Sequence, residues 1–243
     1  MLFALMQTKV LAQENNETPP DLIFNRVLSG GFIAHTRGLG FGFELGKFRG
    51  VERVNTWGLE IVSMKHAKEV RSVNPFYDNA RSYIFGKTHS MFAIRPNFGF
   101  VKIITPKIRQ GGVQLAWSFN IGASLAVTKP VYLEIGGPGV PYEYIEVSKY
   151  DPQIHNFENI YGKASGLLGF DELKMQPGGF CSLSMQFEYA NSHDRIKGLE
   201  VGMALDGFLN RVEIMAPDYV DANNRLYLNL FLQVYFGSKK YIR

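Results

Sequence analysis

Cysteine is almost absent from this chain. A single Cys, Cys181, among 243 residues excludes a disulfide framework and any metal site built from several thiolates. Long apolar runs are also missing, since no uncharged stretch approaches the roughly 18 residues that a membrane-spanning helix needs. The mean hydropathy of −0.08 is that of a soluble protein. The average has one known exception, because a transmembrane β-barrel places its lipid-facing side chains at every second position.

An excess of either charge is lacking too. The chain has 26 Lys and Arg against 22 Asp and Glu, a formal net charge of +4, which is too small and too dispersed to indicate a nucleic-acid partner. No GxSxG, HExxH or metal-spaced cluster occurs in the sequence, so we expect no cofactor and no metal. The hydrophobic share of 46% is enough for one sizeable folded domain.

The amino-terminal residues have the character of a targeting segment. Residues 1–13 (MLFALMQTKVLAQ) are apolar and end in a small-residue pattern, which predicts a truncated signal peptide; the alternative is an accidentally apolar terminus. Residues 14–23 are polar and Pro-rich, as in a flexible lead-in. We therefore expect one folded domain at 24–243.

Alternation of apolar and small or polar residues dominates the rest of the chain. In LGFGFELGK at 39–47, Leu and Phe fall on one face, while Gly and Glu fall on the other. The same period of two recurs from Val113, Ser182, Leu199 and Leu226, and no segment has a comparable helical stripe. The pattern predicts an all-β chain.

The composition of the two faces favours a membrane barrel over a soluble sandwich. A water-exposed face should be rich in Lys, Thr, Glu and Asp, yet the less apolar face here consists mainly of Gly, Ala, Ser, Asn and Gln. The opposite face is nearly continuous Leu, Val, Phe and Trp over about nine to eleven residues, the length of a tilted membrane strand. We therefore predict a closed, antiparallel, transmembrane β-barrel with long outer loops.

Eight candidate strands follow from the alternation: 24–34, 38–48, 54–66, 82–104, 111–135, 178–190, 197–214 and 225–237. The first two are the least certain, since 24–48 reads alternatively as one long strand. Short polar turns at 49–53, 105–110 and 191–197 alternate with long connections at 67–81 and 136–177. In outer-membrane barrels short turns face the periplasm and long loops face outside, which matches this order.

Five segments carry a resemblance to known proteins: GGFIAHTRGLGFGFELGK, SMKHAKE, YIFGK, TKPVYLEI and LNLFLQVYFGSKK. Across residues 26–240 the chain resembles a Bacteroidota-type family of small outer-membrane barrels, broadly similar to OmpX-like and OmpA-like eight-stranded barrels. The resemblance implies an outer-membrane location in a Gram-negative envelope and an accessory role in a secretion or barrel-assembly complex. It implies no catalytic residue.

A polar network is expected inside the barrel. Seven residues fall on the predicted inner faces: Glu44, Glu60, Glu188, Glu200, Asp206, Asn229 and Gln233. Enclosed carboxylates need counter-charges, and Arg95, Lys102 and Lys87 are the candidates. An eight-stranded barrel is only just wide enough for its own side chains, so we expect a salt-bridged plug; the alternative is an ion or proton path.

Two further groups are candidates for binding. The basic run at the predicted rim comprises Lys65, His66, Lys68 and Arg71, which suits lipopolysaccharide phosphates or an acidic partner, and is otherwise solvated loop. The long loop carries five aromatic residues, Tyr142, Tyr144, Tyr150, Phe157 and Tyr161. Such a composition is typical of a recognition surface; the alternative is a loop that caps its own barrel.

These observations favour a non-enzymatic structural or interaction subunit of the outer membrane, with outer-membrane lipid and other envelope proteins as partners. A lipid-modifying enzyme is one alternative, for which Ser63 and His66 are the nearest nucleophile and base. Residues three apart do not share a face of a strand, so that pairing has poor geometry. A narrow solute channel is the other alternative.

Overall fold

The computed structural model describes residues 24–77, 79–106, 112–139, 142–189, 195–217 and 223–241. Regular structure in these ranges consists of β-strands. No helix among them is long and apolar enough to cross a membrane. The predicted signal peptide at 1–13 and lead-in at 14–23 lie outside the described residues.

Eight long strands close into an antiparallel barrel. In chain order, with the five short strands included in the numbering, they are β1 (Phe24–His35), β2 (Gly38–Phe48), β3 (Arg53–Met64), β6 (His89–Thr105), β7 (Gln114–Pro130), β11 (Lys174–Glu188), β12 (Arg195–Phe208) and β13 (Leu226–Tyr241). Each strand pairs with its neighbours along the chain, and β1 pairs with β13 to close the barrel. The predicted class and strand number are confirmed.

The first hairpin consists of two separate strands. β1 and β2 pair from Arg26↔Lys47 to His35↔Gly38, so residues 24–48 do not form one long strand. At the other end of β2, Gly50 adopts φ 109° in the short connection to β3. This is the left-handed region, which glycine enters without steric cost.

Connection length distinguishes the two ends of the barrel. At what we call the turn end, short connections join β2 to β3, β6 to β7 and β11 to β12, and the first and last strands have their outer termini there. At the loop end, residues 65–88, 131–173 and 209–225 form long connections, while β1 and β2 are joined by only Thr36 and Arg37. The predicted alternation of short and long connections is therefore present, with a third long loop at 209–225.

Side chains alternate between the two faces of the barrel wall. On the outer face, apolar side chains remain exposed around the whole circumference, for example Trp57 (69%), Phe41 (61%) and Leu228 (61%). On the inner face, the alternate positions are mostly buried small or polar residues. Gly58 shows how tight this interior is, because a Cβ there would lie 2.5 Å from Asn97 Oδ1.

Three predicted strands extend too far. The segment at 82–104 is divided between β5 (Tyr83–Ile84) and β6, the segment at 111–135 between β7 and β8 (Tyr132–Gly136), and β12 ends at Phe208. β8 leaves the barrel and pairs with β9 (Ile145–Lys149) and β10 (Ile160–Lys163) in a separate three-stranded sheet. β5 pairs with β4 (Arg71–Ser72). The alternation of apolar and polar residues in the sequence continues past the ends of the barrel strands. The reason is that the strands of the three-stranded sheet, which we call the outer sheet, have the same two-residue period.

Candidate functional site

The centre of the lumen is a buried ion-pair layer organised by Arg95 on β6. Its guanidinium donates from Nε to Asp206 Oδ1 (2.9 Å), from Nη2 to Asp206 Oδ2 (2.6 Å) and from Nη1 to Glu60 Oε2 (3.1 Å). Ser124 donates a further hydrogen bond to Asp206 (2.8 Å), and the guanidinium lies over the ring of Phe180. β3, β6, β7, β11 and β12 thus each contribute a side chain, so this layer links five strands across the barrel.

A second polar layer lies nearer the turn end, around Glu200. Its carboxylate accepts hydrogen bonds from Ser184 and Ser118 at one oxygen and from Gln186 at the other. Ser118, Ser184 and Glu200 are all buried. A buried carboxylate needs such donors, because an unsatisfied charge is costly to enclose. The serines therefore satisfy Glu200 inside the wall.

An ion pair lies at the turn end of the lumen. Lys239 Nζ contacts both carboxylate oxygens of Glu188, at 2.7 and 2.9 Å. A cavity of about 60 Å³ lies between this pair and Glu200, with Glu44 and Gln233 in its wall. That volume holds only a few waters, since one water needs ~10–15 Å³.

An apolar cap closes the loop end. Residues 212–216, from the connection between β12 and β13, turn into the barrel mouth, where Val212, Ile214 and Met215 join the core formed by inner-face residues such as Met64 and Met91. Ile214 O accepts hydrogen bonds from the backbone of Thr88 (3.0 Å) and His89 (3.2 Å), and Ala216 N donates to Gly86 O (2.7 Å). We call 212–216 the cap segment.

The structure places all seven predicted network residues on the inner face. Glu60 and Asp206 share Arg95, Glu188 pairs with Lys239, and Asn229 is buried beside Thr36, which donates a hydrogen bond to its side-chain oxygen. The other three are Glu44, Glu200 and Gln233, all in the wall of the 60 Å³ cavity.

Two of the three candidate counter-charges were predicted wrongly. Lys102 is exposed on the outer face of β6, and Lys87 lies beyond the barrel, where it pairs with Glu69 at 2.8 Å. Of the three candidates, only Arg95 pairs with inner carboxylates, those of Glu60 and Asp206. Lys239 and the cap segment were not anticipated, because the predicted last strand ended at residue 237 and the predicted strand 197–214 ran into the cap.

The five loop aromatics separate into packed and exposed groups. Tyr142 stacks on Tyr77 and accepts a hydrogen bond from Asn74 (2.9 Å), and Tyr161 contacts the same Tyr77 ring. Tyr150 is buried, and its hydroxyl accepts from Gly86 N (3.2 Å). These three hold the outer sheet together rather than presenting a free surface.

Tyr144 and Phe157 do remain exposed, at 55% and 53%, although one face of Phe157 stacks on Phe85. Further exposed apolar side chains lie close in sequence. We define the loop-end surface as Tyr144, Ile145, Val147, Phe157, Leu167 and Phe170. β9 contributes Ile145 and Val147 to this surface. It is an edge strand, since it pairs only with β8 in the three-stranded sheet.

An ion pair and a hydrogen bond brace this outer sheet. Glu172 accepts from the Lys149 ammonium on β9 and from the Tyr132 hydroxyl on β8. These contacts hold the pKa of Glu172 below its ordinary value, and the contact with Lys149 has the larger effect. Both donors stabilise the ionised carboxylate, so the arrangement links two strands and the start of β11 at neutral pH.

The predicted basic rim is only partly exposed. Lys65, Lys68 and Arg71 are exposed, whereas His66 is buried. Its Nδ1 accepts a hydrogen bond from Lys68 N (3.2 Å). Ser63 Oγ donates to Leu39 O and accepts from Leu39 N. Ser63 is thus held by the β2 backbone.

A pocket of about 440 Å³ opens beside this rim, with Arg37, Lys65 and His66 in its wall; we call it the rim pocket. The Arg37 guanidinium lies 5.2 Å from the centre of the Tyr227 ring, and its Nη1 is buried without a hydrogen-bond partner among the described residues. Leu228, on the exposed outer face of β13, also contributes to the wall. The pocket therefore places two cations and the Glu69 carboxylate next to the apolar outer face of the barrel.

Within the described ranges, no three or more His, Cys, Asp or Glu side chains form a group that could hold a metal ion. Cys181 lies on the outer face of β11, opposite the inward Ser182 and Phe180.

Comparison with known proteins gives similarity of fold only. The chain is similar to the crystal structure of Ail, the attachment invasion locus protein of Yersinia pestis, with 8% identity and a TM-score of 0.40. The complex of Ail with the heparin analogue sucrose octasulfate gives 7% and 0.42. Each match covers 90% of this chain and 100% of the Ail chain. No protein-family model and no curated protein matches the sequence.

Proposed function

We propose that this chain is an integral outer-membrane β-barrel that acts without catalysis, as an interaction subunit of an envelope complex. The exposed apolar belt supports the membrane location, because lipid is the solvent in which such a surface is stable. A closed barrel also pairs its backbone groups internally, as a bilayer requires. The loop end would face outside the cell, as long loops do in such barrels.

The single observation behind the interaction role is the loop-end surface. Two of its residues, Ile145 and Val147, stand on β9 of the three-stranded sheet, which packs on a core of Tyr83, Leu133, Ile135, Tyr150 and Ile160. Apolar side chains held on a rigid sheet bind with little loss of conformational entropy. A partner protein from the envelope that covers Tyr144, Ile145 and Val147 would remove these side chains from water.

The two alternatives have less support. A channel needs a continuous path, whereas the cap segment, the Arg95 layer and the Glu188–Lys239 pair lie in series along this lumen. A Ser63–His66 enzyme needs a free hydroxyl beside an accessible base, whereas Ser63 is bound to the backbone of Leu39 and His66 is buried.

Outer-leaflet lipid is the second partner that we propose. The rim pocket offers Arg37 and Lys65 to a lipid phosphate while Leu228 meets the acyl chains. Charge-assisted hydrogen bonds from Arg to phosphate are among the stronger polar contacts.

Site-specific photo-crosslinking in native membranes tests the interaction role. A photoreactive phenylalanine analogue at Tyr144 or Val147 should capture the same envelope protein, identified by mass spectrometry. The matched control is Val51, which is 86% exposed at the turn end and should not capture that protein. Failure to capture a common partner at both loop-end positions would refute the proposal.

A further inference from the structure

A second polar cavity lies among the loop-end elements, away from the rim pocket and the lumen. Its volume is about 190 Å³, and its wall includes Arg71 on β4, Lys163 on β10, and Lys87. We call it the cation cleft. It is far larger than the ~10–15 Å³ that one water needs, but smaller than the pockets that hold drug-sized ligands.

Positive charge in the cation cleft exceeds the negative charge beside it. Lys87 pairs with Glu69 at 2.8 Å, while Arg71 and Lys163 form no ion pair with any described carboxylate. Burial lowers the pKa of Lys87, and the positive charges of Lys65 and Lys163 lower it further. The three cations and one carboxylate leave a net charge of about +2 to be neutralised.

Neutral donors in the same wall are also unused. Ser82 and Ser90 line the cation cleft, and neither hydroxyl is hydrogen-bonded in the part of the chain that the structure describes. Tyr83, only 2% exposed, belongs to the wall as well, and its hydroxyl has no partner among those residues. The unpaired Tyr83 hydroxyl is buried, which costs free energy. Ser82 is exposed and Ser90 half-buried, so both hydroxyls are free to donate to ligand oxygens.

The rest of the wall is apolar. Ile84, Val131 and Leu133 form it, and Leu133 belongs to the core of the outer sheet. A ligand for the cation cleft therefore combines an oxyanion with a small organic body.

We propose that the cation cleft binds a phosphate monoester, whose oxygens Arg71, Lys87 and Lys163 contact while Ile84 and Val131 contact its organic group. A monoester carries ≈ −1.5 to −2 charge at neutral pH, which matches the net positive charge of the site. A carboxylate or a phosphate diester carries one charge and would leave a cation unneutralised. The monoester is either a soluble metabolite or the head group of a lipid.

Binding is measured by isothermal titration calorimetry on the full chain in phosphatidylcholine nanodiscs. Glycerol 3-phosphate is the monoester probe, and dimethyl phosphate and acetate are the singly charged comparisons. We expect saturable binding of glycerol 3-phosphate and at least about tenfold weaker binding of the other two, since one charge-assisted contact is worth about that factor.

Variants locate the site. Lys163→Gln and Arg71→Gln should each weaken binding of glycerol 3-phosphate about tenfold. Lys68→Gln is the matched control, because Lys68 is an exposed cation of the same loop that does not line the cation cleft. Unchanged heat-dependent gel mobility checks that each variant remains folded.

Nanodiscs that contain phosphatidic acid separate the two sources. Loss of glycerol 3-phosphate binding in those nanodiscs supports a lipid-borne monoester that occupies the cation cleft. Unchanged binding supports a soluble one. Absence of saturable binding, or equal weakening by Lys68→Gln, would overturn the proposal. This site shares no residue with the loop-end surface, so either result leaves the crosslinking test unaffected.

Discussion

Arg95 is the residue on which the interior of the barrel depends most. It alone joins Asp206 to Glu60, and its side chain is 3% exposed beside a fully buried aspartate. Arg95→Ala would leave two carboxylates without their cation, and removing one partner of a buried ion pair typically costs about 3–5 kcal/mol. We expect the free energy of unfolding, from urea titration in micelles, to fall by about that amount.

Lys102→Ala is the control for this change, because Lys102 belongs to the same strand but is exposed on the outer face. Surface substitutions usually change stability by less than ~0.5 kcal/mol. Equal midpoints for the two variants would show that Arg95 does not stabilise the barrel.

Glu172 makes the stability of the outer sheet depend on pH. Its pKa is held below the ordinary value, first by Lys149 and then by Tyr132. A depressed folded-state pKa means that the ionised contacts stabilise the outer sheet above the unfolded-state pKa, and that this stabilisation is lost as pH falls through the folded-state pKa. Lys149→Met should therefore raise the midpoint of the Glu172 carboxyl titration, followed by ¹³C NMR.

The comparison for this prediction is Lys174→Met, because Lys174 is the smallest of the contributions to the pKa of Glu172. Its effect on the midpoint should be the smaller one. The reverse order would mean that Lys149 does not hold the carboxylate.

Where the alternation is regular, the sequence alone predicted whether a side chain of a barrel strand lies on the inner or the outer face of the wall. Glu44, Glu200 and Asp206 follow the period of two, and an alternation this regular determines which face each side chain occupies. His66 and Lys87 lie in a connection whose sequence has no regular alternation. The burial of His66 and the pairing of Lys87 with Glu69 therefore could not be inferred. Their positions depend on contacts between segments distant in the sequence.

At the scale of elements, the cap segment is the part with the clearest structural effect. Ile214 is fully buried in the apolar core at the barrel mouth. Ile214→Ala should lower the free energy of unfolding by about 2–5 kcal/mol, the usual cost of truncating a large buried aliphatic side chain. Leu209→Ala in the same connection should change it little, since Leu209 is 70% exposed. Similar losses in both variants would place the cap outside the cooperative core.

The cap also shows where prediction of elements fails. The sequence at 209–214 keeps enough apolar residues to extend a strand pattern, yet β12 ends at Phe208 and the chain turns inward. β9 and β10 lie within the predicted loop at 136–177 for a related reason. They are five and four residues long, and they pair only after β8 has left the barrel. Strands this short are defined by their partners rather than by their own sequence.

For the whole molecule, the closed lumen leads to a prediction about conductance. The cap segment, the Arg95 layer and the Glu188–Lys239 pair obstruct the lumen one after another, in a barrel only just wide enough for its own side chains. Purified protein in planar bilayers should therefore show no steady conductance. Replacing Val212, Ile214 and Met215 by Ser removes the apolar cap but leaves both charged layers, so this variant should also remain at the baseline of the empty bilayer. Steady steps in the unmodified protein would contradict the closed lumen, whereas steps in the cap variant alone would identify residues 212–216 as the barrier to ions.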